Sequence, residues 1–528
     1  MKKTLLIFGL IILAQTSFAQ TQFLFRYGSV FHDDAKKVIQ TYDGNYIVVG
    51  QTNGFGSGNN AFIMKVSENG TILWLKDYSG VNDDIIFDVI ELPDSSLIMC
   101  GSTGSYGAGY ADAFIMKTDS IGNIQWAKTY GNIWSQEFYK ISKDEENGFY
   151  VSGLAYNVNN DLGSTVIRLN SEGVIQWAKW VLTPSLSAVD IGMTVIRKGG
   201  VALSSSEGNN QTRSCWKFSS SGNLDWSKLF TPTPLFSGLT GGLILENNTD
   251  EILFNFSVAN SNTVANASDN CMLKLDSLGN IMWFKSYGGT FFEEASNFSN
   301  TPEGGIIVSG ITNSVGNGGL DSYLMKLTTN GALEWAAVYG TEWDEGSKNV
   351  IRTTDNGFIL CGKTNPFGFS NDSSKVYLVK TDLLGNSTCN NISWTPITNN
   401  QTVAVTSPGT PVNITFQVTN FTFAIHNRYF YTYNFCLPIS VNPTLATTDN
   451  LNIYPNPFTS QTILRTDKVL KDATLTLYNA LGQQVRQVNN ISGQTLTLHR
   501  DNLTSGLYYL QLTQDNQTIA TDKLVITD

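Results

Sequence analysis

The residues best able to do chemistry are acids that recur at one position of a repeating pattern. Asp33, Asp84, Asp190, Glu293 and Glu345 each open a short stretch of similar design. Asp34, Asp83, Glu294 and Asp344 stand beside four of them. Clustered carboxylates attract hard cations, so one reading is a calcium-type or polar-ligand site. The competing reading is a carboxylate that accepts backbone N–H bonds and fastens a loop. Recurrence in most repeats favours fastening. Residues 357–364 (GFILCGKT) fit the phosphate-loop pattern G-x-x-x-x-G-K-[ST]. That chemistry needs a glycine loop leading into a helix. Here the middle of the motif is an apolar strand pattern, and sister copies carry Gln51 and Ser102 at the Lys position. The three histidines, His32, His426 and His499, join no motif, and no H-E-x-x-H, C-x-x-C or G-x-S-x-G occurs. No catalytic residue and no cofactor site is assigned. Calcium is the one cation the acidic set would take.

Cysteines and tryptophans offer two further kinds of chemistry. Cys100 and Cys361 share a repeat position inside apolar strands and read as buried thiols. Cys389 and Cys436 flank one segment of an exported chain and form a candidate disulfide. Trp134, Trp180 and Trp343 fall between repeats, where exposed rings would stack on sugars and buried ones would anchor loops.

These residues ride on a seven-fold repeat. Residues 62–74 (FIMKVSENGTILW), 114–126, 165–177, 214–226, 271–283, 323–335 and 377–389 each read strand, glycine turn, strand. The six repeat tryptophans are 52, 51, 49, 57 and 52 residues apart. A turn and a nearly continuous apolar strand precede each copy, as in residues 43–50 (DGNYIVVG) and 355–362 (DNGFILCG). Such strands are buried on both faces. With one more strand ahead, the unit is four strands, the size of a propeller blade. The seventh copy lacks its last strand, and residues 22–28 (QFLFRYG) carry that pattern at the other end of the chain. Ring closure by the amino-terminal strand follows, and it removes an open edge.

Composition agrees with a many-turned all-β chain: 47 Gly, 13 Pro and 12% aromatics in 528 residues. The net charge of −11 and the lack of a basic patch exclude nucleic acid as an expected partner. Residues 1–19 have the Lys2-Lys3, apolar run and Ser17-Phe18-Ala19 of a signal peptide. No later run is long enough to span a membrane.

The repeats resemble the bacterial seven-bladed propeller family. The resemblance rests on residues 109–117 (GYADAFIMK), 318–326 (GGLDSYLMK) and the Tyr287-Gly288-Gly289 ending, and covers about residues 22–386. Blades four and five depart from it; blade four ends in Phe230-Thr231. The tail resembles the type A C-terminal sorting domain of the type IX secretion system. Its pieces are Tyr454-Pro455-Asn456-Pro457, residues 477–484 with Gly482, residues 503–510 with Gly506, and Lys523-Leu524-Val525. That resemblance implies Sec export, handling by the type IX machinery and delivery to the outer surface or medium of a Bacteroidota-type cell.

The sequence thus predicts an all-β chain: a signal peptide (1–19), a seven-bladed β-propeller (20–386), a connector or small β appendage (387–447), and a sorting domain (448–528) folded as a small Ig-like β-sandwich. The expected function is binding or adhesion at the cell surface or in the medium, not catalysis. The ligand is a glycan, a protein or another surface component. The alternatives are a structural surface-layer component and a polysaccharide hydrolase or lyase that uses acids such as Asp84 and Glu345.

Overall fold

A computed structural model describes residues 21–434 and 451–528, apart from residues 56–57, 183–190, 198, 208–211, 234–243, 247–250, 260–267, 366–373, 390, 409, 480–483 and 515–516. The expected signal peptide lies outside the described residues. The chain divides into two units, Met1–Cys436 and Leu437–Asp528. Every regular element among the described residues is a strand.

The first unit is a ring of seven antiparallel blades. Blade one runs Asp33–Gln40, Tyr46–Thr52, Asn60–Val66 and Ile72–Ser79, and the next five repeat that order. The second and third strands carry almost no exposed residue, because blades stack on both of their faces. Blade seven takes Asp344–Arg352, Phe358–Asn365 and Lys375–Thr381 from the end of the repeat and Phe23–Gly28 from the amino terminus. Arg26 pairs with Tyr377 in that closure.

Neighbouring blades are latched through the hairpin that joins strands three and four. The tyrosine hydroxyl ending one blade donates to a turn-glycine carbonyl of the next: Tyr27 to Gly70 at 2.7 Å, and Tyr78 to Gly122, Tyr130 to Gly173 and Tyr287 to Gly331 at 2.6 Å. Tyr339 does the same to Gly385. The repeat tryptophan packs on that same turn. A Cβ on Gly122, which sits at φ +81°, would lie 2.7 Å from the Tyr78 hydroxyl and 3.3 Å from Trp74. Glycine is therefore required there for both conformation and space.

The sequence suggests a connector or small β appendage over residues 387–447. The structure instead gives every blade a fifth strand from residues 391–434. Asn391–Trp394 joins blade six, and successive segments join blades five, four, three, two and one before Tyr431–Asn434 pairs with Phe23–Gly28 of blade seven. This segment is a belt that runs once around the ring and pairs each outer edge, which would otherwise be open for other chains. Between belt strands, apolar side chains drop into the gaps between blades. Trp394 meets Tyr323 at 5.4 Å, Phe423 meets Phe114 at 5.3 Å, and Phe430 meets Phe62 at 5.5 Å.

The second unit is one nearly closed sheet over its own core. Leu451–Tyr454, Gln461–Asn479, Gly506–Gln514 and Gln517–Ile526 pair in that order, and Gln484–His499 pairs the long second strand. A parallel bridge from Phe458 to Ile526 draws the ends together. Leu475, Leu477, Leu510, Leu512 and Leu524 fill the interior.

Candidate functional site

The loops that enter blades one, two, six and seven are fastened at one point by the recurring acids. The Asp33 carboxylate accepts the Ser29 N–H at 2.7 Å and the Thr52 hydroxyl at 2.6 Å. Asp84 accepts from Gly80 N–H and the hydroxyls of Thr103 and Ser105. Glu293 takes Gly289 N–H and the Thr312 hydroxyl, both at 2.7 Å, and Glu345 takes Thr341 N–H and the Thr364 hydroxyl. All four acids are fully buried. Burial pushes Asp33 and Asp84 up to about 6 and Glu345 up to about 7, against the lowering by their hydroxyl and N–H donors. Asp84, Glu293 and Glu345 take these bonds from their own blade and its entry loop, and Asp33 also faces Lys375 Nζ of blade seven at 3.7 Å. Among the described residues no three His, Cys, Asp or Glu side chains are grouped to hold a metal. Asp190 lies outside the described residues.

The threonine partners were missed in the sequence, although a signal existed. Thr52, Thr103, Thr312 and Thr364 each stand two residues after the glycine of the second strand, nineteen after the acid. Blade three carries Gln136 in place of the acid and Ala155 in place of the threonine. Gln136 still fastens its loop, accepting Asn132 N–H at 2.9 Å.

The fastened loops share a second feature. Two residues before each fastening side chain stand Phe31, Trp134, Phe291 and Trp343, with Asn82 in blade two. Phe31 and Phe291 are exposed, as are Val30, Val81 and Ile133 beside this position. The rings of Trp134 and Trp343 are half-buried, and the Arg26 guanidinium lies 4.5 Å from the centre of Trp343. The glycine loop of blade two lies against the Trp134 loop and carries Tyr110, 81% exposed. Asp112 ties that loop down by accepting the Ala108 and Gly109 N–H groups at 2.9 Å. Trp180 does not belong to the set: it is buried and donates its indole N–H to Ala155.

The remaining candidates resolve simply. The phosphate-loop match is the strand Phe358–Asn365, in which Lys363 and Thr364 continue the strand. Cys100, Cys215, Cys271 and Cys361 are buried free thiols. Cys389 is disulfide-bonded; Cys436 lies outside the described residues.

In the second unit the tail motifs come together. Tyr454 is 82% exposed at the end of its strand, and the Tyr454-Pro455 and Asn456-Pro457 bonds are cis. Asn456 joins the first motif to the last: its amide donates to the Lys523 carbonyl at 2.7 Å and accepts the Val525 N–H at 2.8 Å. Pro455 offers its carbonyl to the Thr462 hydroxyl at 2.6 Å. Gly506 opens the strand that pairs with Ile526, and Lys523 pairs with Tyr509. Gly482 lies outside the described residues. Tyr478, Tyr509 and Lys523 border a shallow groove on this sheet.

Comparison with known proteins bears on this tail. The model of the secretion system C-terminal sorting domain matches residues 452–527. No curated protein matches the chain. Among solved structures, an exo-β-1,3-galactanase from Clostridium thermocellum is similar at 9% identity and a TM-score of 0.28, over 68% of this chain and 94% of that one. A glucose dehydrogenase is similar at 11% identity and 0.23, over 45% and 94%. The extracellular domain of a hybrid two-component system from B. thetaiotaomicron is similar at 9% and 0.24, over 93% and 72%. Scores this low carry no argument about chemistry. Among the described residues no helix is long and apolar enough to cross a membrane. Residues 452–527 are a type IX sorting domain behind a seven-bladed propeller, and that tail marks a protein secreted or held at the outer cell surface.

Proposed function

We propose that the propeller is a binding or adhesion module whose ligand lies across the fastened loop face. The observation that carries this reading is the position two residues ahead of the fastening side chains, which is aromatic in four of five described blades, as Phe31, Trp134, Phe291 and Trp343. Aromatic faces on immobilised loops contact a ligand at little entropic cost, and their flat apolar surfaces suit sugar rings. Tyr110 adds a hydroxyl to the same rim. The buried acids are committed to loop N–H and hydroxyl donors, which supports binding over acid/base hydrolysis and leaves calcium no part in the reading.

The Cys389–Cys436 pair belongs to the same proposal. Cys389 stands two residues before the first belt strand and Cys436 two residues after the last. A bond between them closes the belt on adjacent blades six and seven. Non-reducing peptide mapping is expected to recover that pair; recovery of Cys389 with any other partner would overturn it.

The functional test is a glycan and cell-envelope array probed with the full chain. Saturable retention without product release is expected. Release of soluble sugar, lost on Asp84→Asn or Glu345→Gln, would replace binding with hydrolysis. Self-assembly with no retained ligand would replace it with a surface-layer role.

A further inference from the structure

The axial channel of the ring is lined by the innermost strand of each blade. In five of these strands a β-bulge falls at the same place: between Ala35 and Lys37, Ile86 and Asp88, Phe138 and Lys140, Ala295 and Asn297, and Ser347 and Asn349. A bulge at a fixed position re-aims the side chain that follows it. Here the five residues that follow, Lys37, Asp88, Lys140, Asn297 and Asn349, line one cavity of about 260 Å³.

The polar groups of this ring are unevenly matched. Asp88 is engaged at both oxygens: one accepts the Val89 N–H at 3.0 Å and faces Lys37 Nζ at 3.4 Å, and the other accepts the Ile141 N–H at 3.1 Å. The Asn349 carbonyl accepts the Val38 N–H at 3.2 Å, and its amide donates to the Asn297 carbonyl at 3.0 Å. The acceptors are thus used. Two donors are left: Lys140 Nζ and Asn297 Nδ2 have no acceptor among the described residues. Two lysines face one aspartate, so the ring carries an excess positive charge inside a chain of net charge −11. Burial holds the Lys140 ammonium below its ordinary range, against the pull of Asp88. Lys140 is half-buried and its side chain lines the cavity, so an anion entering there meets a cation that has no carboxylate of its own.

We infer that the channel binds a small oxyanion, a phosphate, sulfate or carboxylate group, through Lys140, Asn297 and Lys37. The donor surplus supplies the hydrogen bonds, the unpaired ammonium supplies the charge, and the cavity admits a group of that size. This site uses none of the residues of the loop face, so it stands or falls apart from the binding reading above.

The test is titration calorimetry of the full chain with sodium phosphate, sodium sulfate and sodium acetate in turn, at constant ionic strength set by chloride. One saturable site is expected for at least one of the three, and the preferred salt identifies the anion. Lys140→Met is expected to weaken it about tenfold or more, the scale of a charge-assisted hydrogen bond. Asn297→Asp, which cancels the excess charge, is expected to abolish it, and Asp88→Asn to tighten it. Melting curves in anion-free buffer keep the result readable, because Lys140→Met keeps the apolar stem of a half-buried side chain and is expected to melt within about 2 °C of the parent. Absence of saturable heat with all three salts would overturn the inference. So would unchanged affinity in Lys140→Met and Asn297→Asp chains that melt normally.

Discussion

Blades seven, one, two, five and six each meet the following blade through a tyrosine hydroxyl; blades three and four do not. At the tyrosine position, four residues after the repeat tryptophan, blade three carries Val181 and blade four Phe230. Neither can donate a hydrogen bond. At just these two junctions the tryptophan takes over. Trp177 Nε1 donates to the Ser220 carbonyl at 2.9 Å, and Trp226 Nε1 donates to the Ser277 carbonyl at 3.1 Å. Ser220 and Ser277 belong to the same hairpin turns as Gly222 and Gly279. At a tyrosine junction the tryptophan N–H goes unused, as at Trp283. The comparison teaches that each of these junctions keeps an aromatic donor to the neighbouring turn, beside cations such as Lys128, Arg168 and Lys285, and that either aromatic can supply it.

Among single substitutions, the comparison can be broken most forcefully at a tyrosine junction. Gly122→Ala places a Cβ at a positive φ and against the Tyr78 hydroxyl. A loss of about 3 kcal/mol is expected in denaturant unfolding, from backbone strain plus overpacking. An unchanged midpoint would mean that the latch bears no load.

A pH titration sets the acid-fastened blades against Gln136-fastened blade three. Asp33, Asp84 and Glu345 bind protons more tightly when folded than when unfolded, because burial raises them to about 6, 6 and 7. Their contribution is complete below the ordinary carboxyl range and is lost as pH rises through about 6 to 7. The acids held low by hydrogen bonds and lysines, such as Asp94, Asp119 and Asp355, act in the opposite sense only below about pH 4. Stability is therefore expected to rise by roughly 5 kcal/mol as pH falls from about 7.5 to 5. A stability that rises with pH over that window would contradict the assignment.

Smaller changes sharpen the contrast. Tyr78→Phe strips the donor from the Gly122 carbonyl and is expected to cost about 1 kcal/mol. Phe230→Tyr offers a second donor where Trp226 already serves, and a gain of only about 0.5 kcal/mol is expected. Equal and opposite effects of the two substitutions would show that Trp226 does not compensate.

What was readable in the sequence follows from these forces. The blades announce themselves because a strand buried on both faces must be apolar throughout and its hairpin turn needs glycine. Residues 46–49 and 359–361 carry that imprint equally. Ring closure was legible because a strand missing near Cys389 reappears at Phe23. The belt was not. Its strands are two to five residues long, pair on one edge only and leave most side chains in solvent, so no period-2 pattern develops. Its information lies in single apolar residues, Trp394, Phe423 and Phe430, each filling a different gap between blades. The tail strands were legible in part. Residues 484–488 and 495–498 alternate separately, and the structure makes them the ends of one bulged strand, Gln484–His499. The acids were recognisable as fasteners, yet their threonine partners lie a whole hairpin away in sequence and escaped notice. The aromatic loop position escaped because Phe, Trp and Asn alternate there without a fixed identity.

The claim on which the function rests is that the fastened loop face, and not the opposite face, meets the ligand. The direct measurement is ligand retention by a chain carrying Phe31→Ala, Tyr110→Ala and Phe291→Ala, beside a control carrying Tyr42→Ala in an exposed turn at the other end of the strands. The first chain is expected to lose at least about tenfold in affinity while melting within about 2 °C of the parent, and the control to bind as the parent does. Undiminished binding by the first chain, or loss of binding in the control, would contradict it.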